Sequence, residues 1–195
     1  MEIGSFILGI NTVDLLIVGF FGAFFVLGFA QGTIRRLIGI GSILFSFLFA
    51  ANLSIPLGDF LGANWSQFSP EYAQMIGFLM VFVSASLVFA ILSQGFYKPQ
   101  PLFKKARFLD EILGGILGII EAGLILMAFV VILDTFFYTT GIPSDPDELP
   151  FLRDLYGALD GSQIVGVFRE AIIPAFMAVF AFFVPTPISD LYQAA

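Results

Sequence analysis

Ile112–Tyr138 reads ILGGILGIIEAGLILMAFVVILDTFFY, and its length and apolarity decide the fold. At about 1.5 Å per residue, a helix needs around 20 such residues to cross roughly 30 Å of hydrocarbon. Three further stretches of this kind precede it: Val13 to Ala30, Leu37 to Leu57 and Tyr72 to Phe96. The pattern predicts an all-α, polytopic membrane protein. A four-transmembrane-helix bundle over 1–140, with spans at 13–30, 37–57, 72–96 and 112–138, is followed by an amphipathic, extracytoplasmic or interfacial tail over 141–195.

Composition supports this class and excludes others. Mean hydropathy is +0.99 and only 12% of residues are charged, too few to cover a soluble domain of 195 residues. The chain has no Cys and no His, which removes disulfides, thiolate nucleophiles, the Ser-His-Asp triad and imidazole or thiolate ligation of metals and haem. Neither a cofactor nor a metal site is expected, and no enzyme activity. A formal charge of −7 argues against nucleic-acid binding, which needs cations to neutralise phosphates. The start, MEIGSFILGINTVD, carries an acid where a signal peptide has its basic region, so the first apolar helix is expected to remain.

Orientation follows from the cations. Arg35 and Arg36 separate the first two spans, and Lys98, Lys104, Lys105 and Arg107 separate the last two. Such residues in short loops are retained in the cytoplasm, which predicts an N-out, C-out protein of the bacterial inner membrane. The same cations could contact anionic headgroups as well as set topology.

Helix-end signals refine the boundaries. Asn11 and Thr12 offer caps for the first helix, and Asp14 suits the positive end of its dipole. Ser69-Pro70-Glu71 starts the third helix. Pro56 with Gly58 is expected to close the second, Lys98-Pro99-Gln100-Pro101 the third, and Asp110 to cap the fourth. In the tail, Gly141–Pro146 is a turn-rich break. Leu149, Leu152, Leu155, Tyr156 and Leu159 then recur at helical spacing. A second stripe, Ile164 to Phe183, carries Arg169, Glu170 and Pro174. Its unbroken apolar run is short, which favours helices lying in the outer interface over a fifth crossing or a re-entrant segment.

Two constellations stand out. Gly114, Gly118 and Ala122 recur at every fourth position of the fourth helix, with Gly28 and Gly32 at the end of the first and Gly19 with Ala23 above them. Small residues at this spacing let helix backbones approach closely in lipid, within one chain or in self-association. The second constellation is Glu121, which shares the face of Gly114. At about 15 Å from the cytoplasmic end it falls level with Ser46 and Ser86, with no Lys or Arg expected at that depth. It reads either as a neutral carboxyl bonded to Ser46 or Ser86, or as a proton or cation relay. Asp134, near the outer end of the same helix, calls for a cation from the tail, Arg153 or Arg169.

Val13-Asp14-Leu15-Leu16-Ile17, Gly28, Gln31-Gly32-Thr33-Ile34-Arg35 and the run Asp110–Gly118 (DEILGGILG) resemble the bacterial colicin V production protein (CvpA) family over roughly Val13 to Phe137. In that family an Asp opens the first helix, a basic residue and Gly close it, and an Asp-x-x-x-Gly element opens the fourth. Here Gln31 replaces the usual basic residue, and Glu121 stands where a Lys or Arg is common. The resemblance implies a four-helix inner-membrane protein linked to colicin V export and envelope homeostasis. The periplasmic protease that follows the helices in some relatives is not expected of so short a tail. Three readings stay open: a stand-alone envelope protein, an accessory subunit of a larger membrane assembly, and a small transporter or channel using Glu121.

Overall fold

The computed structural model describes residues 11–65, 68–96, 102, 106–140 and 149–192. Four long helices, α1 (Thr12–Gln31), α2 (Thr33–Asn64), α3 (Pro70–Phe96) and α4 (Arg107–Thr140), are followed in the tail by α5 (Pro150–Asp160), α6 (Gln163–Phe180) and α7 (Thr186–Ser189). No strand occurs among the described residues. Five helices, α1 to α4 and α6, are long and apolar enough to cross a membrane, one more than the sequence reading counts.

Asn11 caps α1 as expected of its type: its backbone is extended and its side chain accepts the Val13 N–H at 3.1 Å. The other end is set by Gly32, whose φ of +77° is costly for any residue with a Cβ. Its N–H donates to the Gly28 carbonyl, and α2 begins at the next residue. A single glycine thus joins two antiparallel helices. The Lys98–Pro101 closure of α3, the Gly141–Pro146 break, and Lys98, Lys104 and Lys105 lie outside the described residues.

Two boundary expectations are corrected. Helix α2 starts four residues before Leu37 and runs through Pro56 to Asn64. The lost backbone bond at Pro56 is outweighed by packing beyond it, because Gly58 lets α2 lie directly on α3. A Cβ at Gly58 would stand 2.4 Å from Gln74 Cγ. Asp110, in turn, sits in the first turn of α4 and is not its cap; it is buried, accepts the Leu102 N–H at 3.1 Å, and its carbonyl accepts the Thr33 hydroxyl at 3.0 Å. Ser69 does cap α3, accepting the Tyr72 N–H at 3.2 Å.

Helix α4 is central, packing antiparallel on α1 and α3 and parallel to α2. Phe47, Phe78, Met127, Val130 and Val131 fill the core between α2, α3 and α4. Helix α6 packs into the groove between α1 and α2. Phe168 of α6 meets Phe21 of α1 (ring centroids 6.4 Å apart), Phe176 meets Phe47 of α2 (5.6 Å), and Ile173 and Met177 are fully buried. A π-helical turn, Phe168–Ile172, interrupts α6 just before Pro174, whose missing N–H cannot bond the Glu170 carbonyl.

The tail is tied back at several points. Leu149 N–H donates to the Tyr72 hydroxyl at 3.0 Å, Asn52 to the Phe183 carbonyl at 2.8 Å, and Asn11 to the Gly161 carbonyl at 2.7 Å. Asp14, which the sequence assigns to the dipole of its own helix, accepts from Ser162 Oγ (2.5 Å) and from the N–H groups of Gln163 (3.3 Å) and Ile164 (3.2 Å). Its carboxylate therefore caps α6 from across the bundle. Asp14→Ala is expected to cost about 1 kcal/mol, read as a lower thermal unfolding temperature in detergent, with Asp14→Asn retaining part of it. Identical unfolding of wild type and Asp14→Ala would remove this role.

Candidate functional site

Close approach of α1 and α4 builds the site. A Cβ at Gly28 would lie 2.1 Å from the Gly114 carbonyl oxygen, and one at Gly118 would lie 2.2 Å from the Phe24 carbonyl oxygen. Ala122 is fully buried on the same seam. Gly32 serves differently: it is the turn, and its missing side chain leaves room for Asp110 Oδ2, 2.5 Å from where a Cβ would be. Gly19 has nothing within 4 Å of its Cβ position, and Ala23 is exposed, so that pair does not pack against another helix among the described residues.

With α1 held this close, Glu121 is directed at α2. A Cβ at Gly39 would be 2.3 Å from its Oε1, so a side chain there would displace the carboxyl from this position. Arg36 donates through Nη1 to Glu121 Oε2 and through Nη2 to Gln31 Oε1 (3.0 Å), and its guanidinium lies 5.5 Å from the Phe24 ring centroid. The two charged side chains are 6% and 12% exposed. The expectation that no cation reaches Glu121 is corrected. Because α2 begins at Thr33, Arg36 falls inside the helix, and the Glu121 side chain leans toward the N-terminal end of α4 to meet it.

The proposed partners of Glu121 are not bonded to it. Ser46 is fully buried, two turns beyond Gly39, and Ser86 is half-buried on α3; neither Oγ has a hydrogen-bond partner. Ser86 does share with Arg35, Arg36, Gln31, Ser42 and Glu121 a cleft of about 240 Å³. Arg107 is apart from it, exposed and paired with Glu111 at 3.0 Å on its own helix. Gly39 and Gln31 escape a sequence search for charges; the signal for Gly39 is its place one turn after Arg36.

A second buried cluster lies toward the other end of the bundle. Asp134 is wholly buried and receives a two-pronged bond from Arg169 (Nη2 to Oδ1 2.7 Å, Nε to Oδ2 3.1 Å) and the Tyr192 hydroxyl at 2.6 Å. Arg169 also donates to Asp160 at 2.5 Å and lies 5.3 Å from the Tyr156 ring. Of the two cations the sequence offers Asp134, Arg169 supplies the bond, while Arg153 lies over Phe137. Burial, with Asp134 beside it, pushes the Tyr192 phenol above the ordinary tyrosine range. Nothing in the sequence pattern marks Tyr192 as part of this cluster.

A family model described as "Colicin V production protein" matches residues 13–173. No curated protein and no solved structure matches the chain. The matched segment holds both buried pairs, Arg36 with Glu121 and Asp134 with Arg169, and the apolar helices that carry them. This multi-pass membrane protein, linked through its matched segment to colicin V production, belongs to the colicin V production protein family.

Proposed function

We propose that the protein lies in the bacterial cytoplasmic membrane with both termini outside. It supports colicin V production or export, or envelope homeostasis, by associating with other membrane proteins, without catalysis or flux of its own. The orientation rests on Arg35, Arg36 and Arg107, which share the end of the bundle where Thr33 meets Asp110. Four crossings are favoured over five because α6 starts beside Asp14 and the chain after it returns to Asp134 through Tyr192. Both ends of the tail thus meet the same end of the bundle. A helix that crossed would deliver its far end to the Gly32 turn. Phe168 reaches to within 3.8 Å of the Gly123 Cβ position, so α6 reads as a wedge inserted between α1 and α2 and returning, more deeply placed than an interfacial helix.

The observation that carries the associating role is the outward face of α1. Gly19, Gly22 and Ala23 leave a shallow, small-residue groove there with none of the described residues against it, flanked by exposed Leu15, Leu16, Val18 and Val26. Backbone-close packing of a second helix is what such a groove suits. The charges inside the spans are meanwhile engaged with each other, so Glu121 lacks the isolation that a proton relay would need. Extraction from the native membrane in mild detergent should yield a particle of fixed stoichiometry with other subunits. Gly19→Leu should strip those subunits and leave the thermal unfolding of this chain unchanged. A particle containing only this chain would defeat the associating role and leave the stand-alone reading.

A further inference from the structure

We infer that the cleft beside Arg36 binds the phosphate of an anionic phospholipid headgroup, in the leaflet at the Gly32 turn. This does not depend on the associating role above. A guanidinium carries five N–H donors in a fixed fork. At Arg36, Glu121 and Gln31 take one bond each, and the buried Nε–H has no acceptor. That orphan is closed off from solvent and costs free energy where it stands, while the second N–H of each Nη remains for an oxygen that enters the cleft. Arg35 lines the same cleft, half-buried, and has no acidic partner among the described residues. Ser86 lines it from α3, with its Oγ buried and without a partner.

Depth and wall chemistry select a lipid. Arg36 is one helical turn from the Gly32 reversal, about 5 Å along the axis, where headgroup meets acyl chain. The walls are apolar at Leu27 and Ala90, and the neighbouring face of α3 exposes Leu87 and Ile91, against which acyl chains can lie. A free phosphate would use the cations and leave this surface unused. Glu121 competes with the phosphate for Arg36 and so sets the strength of binding.

That competition makes the test directional. Purified protein would be loaded with phosphatidylglycerol or phosphatidylcholine, and retained lipid counted by native mass spectrometry. Wild type should retain phosphatidylglycerol in preference. Arg35→Gln should lower retention about fivefold, the equivalent of about 1 kcal/mol per cation near an anionic surface. Glu121→Gln, which keeps an acceptor for Arg36 and so preserves the fold, should raise it by a similar factor. A purely structural pair would instead give weaker retention in both variants, and that result overturns the proposal, as does equal retention of the two lipids. Displacement of phosphatidylglycerol by excess inorganic phosphate would overturn the lipid assignment; retention in its presence supports it.

Discussion

Arg169→Met should lower the stability of the folded chain by about 3–5 kcal/mol, because it strands a carboxylate in the interior. Asp134 is 1% exposed and Arg169 16%, so solvent cannot take over the lost partner. The Tyr192 hydroxyl would remain as a single donor, too little to compensate a full charge. The expected readouts are a much lower thermal unfolding temperature in detergent and new protease cleavage between α5 and α6. Replacing both partners, Asp134→Leu with Arg169→Met, should recover most of the loss, since a buried ion pair contributes little beyond an apolar pair of similar volume. Wild-type unfolding of the Arg169→Met protein would show that the pair does not hold the tail.

The second large effect is expected at Gly114. Its Cβ position is 2.4 Å from the Gly28 carbonyl oxygen and 2.8 Å from the Gly32 carbonyl carbon, all backbone atoms that cannot rotate aside. Gly114→Ala must therefore push α1 away from α4 along the whole seam. Overpacking a core costs about 1–3 kcal/mol, and a clash with backbone on both sides belongs at the upper end of that range. Gly41→Ala is the matched control: nothing lies within 4 Å of its Cβ position, so the change should be neutral or slightly stabilising through helix propensity. Equal unfolding temperatures for Gly114→Ala and wild type would mean that α1 does not rest on α4 as closely as described.

The four apolar helices were legible because length and apolarity are local properties: Val13–Ala30 becomes Thr12–Gln31, and Tyr72–Phe96 becomes Pro70–Phe96. What stayed hidden depends on how helices are set against one another. Pro56 reads as a terminator, yet contacts between Gly58 and Gln74 on another helix carry α2 past it. Counting rise alone puts Glu121 level with Ser46 and Ser86. The tilt of its side chain and the early start of α2 bring it to Gly39 and Arg36 instead. The glycine seam at Gly28, Gly114 and Gly118 could be read directly, because spacing of small residues encodes proximity without needing a register. Gly19 with Ala23 has the same spacing and faces outward, a distinction that spacing does not contain.

The ties between the tail and Asn11 and Asp14 bear on how the molecule is made. The junction of α5 and α6 is anchored to the first residues of α1, and α6 packs into the groove between α1 and α2. During synthesis from the N-terminus, α1 to α4 enter the bilayer before their wedge exists. The groove then stands open, and Asp134 has neither Arg169 nor Tyr192 beside it until the tail has been made. The newborn bundle is thus a provisional assembly that its own tail closes, so variants truncated before Arg169 should be recognised as unfinished protein and degraded.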